Sequence, residues 1–323
     1  MSVWVCGCAE AFMKNVYLFI IPLIFIFYGC ENQSTNTVAT EVKPVKTLDL
    51  SFYLDTRPGR ELNILFLHHS CGGHWMAGRG PAKGESCIYE AHPNGGGLRS
   101  LLEQNGYKVH EASYGSIVGD KTDIEDWPAK FRDQMDRILK THMQDDIYTD
   151  GSVNNIVMFK SCYPNNNFEP DGSKKGRTAQ SAMEAYNSLL PYFREHPETL
   201  FVAITAPPLV HPLEASNTLK AFIKKMLGRY KDVQAIGICA RRFNNWLKDA
   251  ESGWLSKYDL NNVVVFDLYD ILTGDGQSNW AGYPTQNGTD SHPSSEGNSV
   301  AAQRFVPFLN KAVRRAGLVA NAS

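Results

Sequence analysis

Residues 64–73 read ILFLHHSCGG. Four apolar residues run straight into two histidines, a serine, a cysteine and two glycines. A short apolar run closed by glycine reads as a buried strand, and the glycines after it call for a tight turn. Ser70 therefore stands where the chain leaves a sheet. It is either part of an ordinary strand exit or a hydroxyl presented to a substrate.

Working outward, similar apolar runs recur at Asn63–His68, Lys108–Ala112, Asn155–Phe159, Thr199–Thr205 and Asn262–Asp267. Helical patterns lie between and after them, at Leu98–Gln104, Pro128–His142, Thr178–Phe193, Asn217–Leu227, Arg241–Lys248 and from Asn298 to Arg315. In the last of these, Val300, Phe305, Phe308, Leu309 and Val313 share one face. Strands alternating with helices predict an α/β protein of three layers, with a central, mostly parallel five-stranded sheet between helices. Ligands bind such a sheet beyond the carboxyl ends of its strands, so the residues that follow each strand are expected to gather.

After the first strand comes His68-His69-Ser70. After the second comes YGSIVGDKT (114–122), after the third KSCYPNNN (160–167), after the fourth APPLVHP (206–212), and beyond the fifth GTDSHPSSEGN (288–298). Together they supply a hydroxyl, glycine amides, carboxamides, and a histidine with a carboxylate two residues before it. That set is sufficient for acyl transfer. A serine hydroxyl needs a base to take its proton, and histidine titrates near neutral pH. A carboxylate fixes the histidine tautomer, and amide donors hold an oxyanion.

In these blocks the chain resembles the SGNH (GDSL-like) hydrolases over most of residues 62–312, whose fold is flavodoxin-like. The resemblance implies Ser70 as nucleophile, His292 as base and Asp290 as the orienting acid. It implies an oxyanion hole from Ser70, Gly119 (Gly115 as the alternative) and Asn165 (Asn166 as the alternative). Three departures stand out: His69 precedes the serine where many members have Asp, KSCYPNNN replaces the Gly-x-Asn-Asp block, and Thr289 rather than Asp lies three residues before His292. The chain has no G-x-S-x-G elbow of the α/β-hydrolase kind.

The 323 residues are 43% hydrophobic with a formal charge of −2, which gives no electrostatic footprint for nucleic acid. From Met13, the expected true start, one lysine precedes an apolar run from Val16 to Tyr28 that ends on Gly29-Cys30. This reads as a secretory signal over 1–29, and Cys30 resembles a lipobox cysteine. Residues 30–60 then read as a lipidated, flexible tether, and 61–323 as the hydrolase domain. The expected location is a membrane-anchored lipoprotein, periplasmic or on the cell surface. Of seven cysteines, Cys71, Cys87, Cys162 and Cys239 fall in this domain, with Cys71–Cys162, Cys71–Cys87 or free thiols all open. Neighbouring histidines on a strand point to opposite faces, so HHSCGGH is not read as a metal site. No cofactor is expected. The expected activity is hydrolysis of a small acyl ester, O-acetyl on carbohydrate foremost. A glycan-binding lipoprotein without turnover and an O-acyltransferase are the alternatives.

Overall fold

The computed structural model describes residues 45–212 and 233–321. The expected signal, Cys30 and the helix at Asn217–Leu227 lie outside them. Five parallel strands form the main sheet: β1 (Leu62–Leu67), β2 (Tyr107–Ala112), β3 (Ile156–Lys160), β4 (Leu200–Ile204) and β5 (Val263–Phe266), in spatial order β5-β4-β3-β1-β2. The chain order reverses between β1 and β3, and a doubly wound sheet opens its binding crevice at such a point.

Alternation along β1 shows how the sheet builds two cores. Leu65 and Leu67 enter one, with α3 (Trp127–Lys140), α4 (Ala179–Asn187), α5 (Leu190–Arg194) and α6 (Val233–Lys248). Leu62, Ile64 and Phe66 enter the other, with α1 (Ser70–Met76), α2 (Leu98–Gln104), α7 (Leu268–Leu272) and α8 (Ser295–Arg315). Side chains alternate across a strand, so a strand buried on both faces must be apolar throughout. That is why the sequence signal was a continuous run. Each buried Leu or Phe contributes about 1.5–3 kcal/mol.

The helix expected over Thr178–Phe193 is divided, because Pro191 sits in the first turn of α5, a place a proline tolerates and a helix interior does not. The stretch expected as tether is held against the domain where it is described. Lys46 O accepts from Ala250 N at 2.7 Å, and Arg314 Nη1 donates to Thr56 O at 2.8 Å. Among the described residues no helix is long and apolar enough to cross a membrane.

Candidate active site

Ser70 is the first residue of α1, and two glycines let this turn lie close to its neighbours. A Cβ on Gly72 would come within 2.4 Å of His68 Cβ, and one on Gly73 within 1.9 Å of Cys87 O. Beneath the turn, His68 is fully buried and anchors it from behind. Its Nδ1 donates to His69 O at 2.9 Å, and its Nε2 meets Glu111 Oε1 at 2.9 Å. Arg99 Nε donates to the other carboxylate oxygen at 2.9 Å. Burial works to raise the Glu111 carboxyl, but the bonds and charges of His68 and Arg99 outweigh it and hold the group below its ordinary range.

His292 arrives from the other end of the chain, in a short strand, Asp290–Pro293, paired antiparallel with Pro284–Thr285. Its Nε2 stands 3.0 Å from Ser70 Oγ, and its Nδ1 stands 2.8 Å from Asp290 Oδ1. The same carboxylate oxygen accepts the His292 backbone N–H at 3.1 Å. Burial raises the Asp290 carboxyl, while the bonds from His292 win and leave it below the usual value. With a carboxylate at Nδ1, the ring proton sits there, and the Nε2 lone pair faces the serine hydroxyl.

The expected oxyanion donors beyond Ser70 are placed differently. The Gly119 N–H donates to Ser116 Oγ at 2.8 Å, and its carbonyl accepts from His69 Nε2. A Cβ there would meet Ser113 N at 2.2 Å, so this glycine serves close backbone packing at the end of β2. Asn165 is buried, with Oδ1 accepting from Ile124 N at 2.9 Å and Nδ2 donating to Asp123 Oδ1 at 2.7 Å. Asn166 Nδ2 donates to Ala206 O and Pro207 O, both at 2.9 Å. These carboxamides tie loops together. Gly115 adopts a left-handed conformation with φ +84° and open space around it.

The residue after β3 that does reach the nucleophile is Cys162, with Sγ 3.9 Å from Ser70 Oγ. It is one of four free thiols among the described residues, with Cys71, Cys87 and Cys239. Aromatic and imidazole rings stand around the pair. Tyr163 is edge-on to His292 at 5.0 Å, His69 stacks on the half-exposed Tyr114 at 3.7 Å, and His74 lies between His92 at 3.8 Å and His292 at 5.1 Å. Burial, then the rings of His92 and His292, lower the His74 pKa to about 3. Only the HHSCGGH stretch hinted at His74; nothing in the sequence pointed to Glu111 or Arg99.

No family model matches the chain, and no curated protein does. Solved structures do. The chain is similar to a carbohydrate esterase family 2 enzyme with a carbohydrate-binding domain from Corynascus thermopiles (Myceliophthora fergusii), at 14% identity and TM-score 0.37, covering 80% of this chain and 67% of that one. It is similar to a family two carbohydrate esterase from Cellvibrio japonicus at 12% identity and TM-score 0.38, covering 80% and 63%, so it spans less than two thirds of that protein. A variant acetyl xylan esterase from Geobacillus stearothermophilus aligns at 13% identity and TM-score 0.35, over 84% of this chain and all of that one.

Proposed function

We propose that this chain is a serine esterase acting on a small acyl ester, with O-acetylated carbohydrate as the substrate class. The observation that carries this reading is the hydrogen-bonded line Asp290–His292–Ser70, with contacts of 2.8 and 3.0 Å. His292 Nε2 takes the hydroxyl proton as Ser70 Oγ attacks the ester carbonyl. His292 then returns the proton to the leaving alcohol, and water releases the acyl group by the same route. Asp290 keeps the proton on Nδ1 throughout. The N–H of Ser70, first in α1, has no intrahelical acceptor and is the donor assigned to the oxyanion. Tyr163, edge-on to His292, and the half-exposed Tyr114, stacked on His69, are aromatic surfaces of a kind that suits a sugar. Export and lipid attachment at Cys30 belong to the same proposal.

One observation favours binding without turnover: the amides of Gly119 and Asn166 are spent elsewhere, which leaves the oxyanion thinly held. A single experiment separates the two readings. Purified protein is assayed for p-nitrophenyl acetate hydrolysis and for acetate release from acetylated xylan, beside Ser70→Ala. Turnover that vanishes in the variant supports the esterase. Equal rates in both proteins overturn it, and retained glycan affinity would then establish the binding reading.

A further inference from the structure

Lys160, the last residue of β3, is completely buried. Its ammonium group reaches Ser161 O at 3.2 Å and Cys162 Sγ at 3.9 Å. Among the described residues no carboxylate pairs with it. A buried cation without an anion is strongly disfavoured, and the acidic group at hand is the Cys162 thiol. Cys71, also buried, hydrogen-bonds to the same sulfur through its thiol and its backbone N–H. Three donors thus converge on one sulfur that also touches Ser70.

From this juxtaposition we propose that Cys162 is a thiol-modification site: a thiolate that attacks low-molecular-weight disulfides, closes onto Cys71 and thereby silences Ser70. The Cys71 hydrogen bond is the largest influence lowering the Cys162 pKa; burial opposes it, and Lys160 and the Cys71 N–H add to it. In the first step the Cys162 thiolate attacks one sulfur of RS–SR; a Cys162–SR bond forms and RS⁻ departs with the bonding pair. In the second, Cys71 gives up its proton and attacks Cys162 Sγ; the Cys71–Cys162 bond forms, and the second RS⁻ leaves. The two protein thiols are oxidised, and one disulfide is reduced to two thiols. The closed bond leaves Lys160 without its anion, so the reduced form is favoured and the disulfide is easily reversed, as in dithiols whose thiolate is stabilised.

The silencing step rests on the esterase reading; the thiol chemistry does not. The test therefore reads sulfur and turnover separately. Reduced full-length protein is incubated with defined ratios of oxidised to reduced glutathione, and the cysteine peptides are followed by mass spectrometry. In parallel, iodoacetamide labelling is timed at pH 6. Cys162 should label roughly 10-fold faster than Cys87 and Cys239, because a stabilised thiolate persists where an ordinary thiol is protonated. Oxidation should join Cys71 to Cys162, and p-nitrophenyl acetate turnover should fall in proportion and return with dithiothreitol. Cys71→Ser should stop at a glutathione adduct on Cys162. Lys160→Met should slow labelling at pH 6 and make the disulfide harder to reduce. As that change can disturb the core, Cys71→Ser carries the test alone if it misfolds. Equal labelling of the three thiols, or a wild-type adduct that never closes onto Cys71, overturns the proposal. Closure with unchanged turnover overturns the silencing step and leaves the modification site standing. A protein inactive even when reduced, yet closing as described, would fail the esterase reading instead.

Discussion

Asp290 and His292 are two residues apart, and the strand they share makes that spacing work. In an extended segment, residues i and i+2 project from the same face, so the carboxylate and the ring lie side by side, and Oδ1 accepts both the ring and backbone N–H of His292. Asp290→Asn would hold the ring in place while favouring the wrong tautomer. We expect turnover of p-nitrophenyl acetate to fall by about 10³- to 10⁴-fold with the urea midpoint little changed. Near wild-type turnover would remove Asp290 from the mechanism. His74 gives a second prediction, about stability. Its folded pKa is lowered to about 3, against about 6.5 unfolded. Its contribution is complete above pH 6.5. As pH falls from there towards 3, the unfolded chain takes up a proton that the folded chain refuses, and stability drops by at most about 1.4 kcal/mol per pH unit. His74→Phe, which keeps a flat ring against His92, should flatten the urea midpoint between pH 6 and 4. An unchanged acid slope would show that His74 protonates freely.

At the scale of elements, the strands were legible and the first helix was not. Each main strand was expected to within a residue or so, because burial on both faces demands an unbroken apolar run. α1 was invisible because Ser-Cys-Gly-Gly is a poor helix former; its reason lies in tertiary packing. Cys87 O, from a loop before the strand Ile88–His92, leaves no room for a Cβ at Gly73. Gly73→Ala should therefore lower both stability and turnover, read by thermal melting and the acetate assay, whereas helix propensity alone predicts a gain of about 1 kcal/mol. The site was half legible for a related reason. A serine, a histidine and a carboxylate can be named from their strand ends, but which amide points into the crevice depends on loop bonds that leave no pattern in sequence. Asn165 and Asn166 looked alike in NNN, yet both proved to be loop ties. Asn166→Ala should thus cost about 1–3 kcal/mol of stability, since it strands buried carbonyls. A selective loss of turnover without a stability change would return it to the oxyanion hole.

Across the whole molecule, the domain begins earlier than composition suggested. Residues 45–60 show no helical period and continue a Ser-, Thr- and Asn-rich stretch, and so they read as part of a tether. Their attachment is made through partners that appear only in three dimensions. Arg314, on the last helix and 7% exposed, donates to Thr56 O, Thr56 Oγ1 and Arg57 O, and Asn310 Nδ2 donates to Asp55 O at 2.7 Å. Leu50 is buried as well. The Arg57 guanidinium lies against Gly106, just before β2, which puts this attachment at the amino end of the sheet, opposite Ser70. Structure and chemistry are therefore separable here. A chain starting at residue 45 keeps all of these contacts and is the reference. One starting at residue 61 strips a buried guanidinium of its carbonyl partners and uncovers Leu50. It should lose about 3 kcal/mol or more, seen as a lower urea midpoint, while the fraction still folded keeps its full rate on p-nitrophenyl acetate. Equal midpoints for the two chains would mean that residues 45–60 are a tether after all, and a lower rate per folded molecule would mean that the two ends of the sheet are coupled.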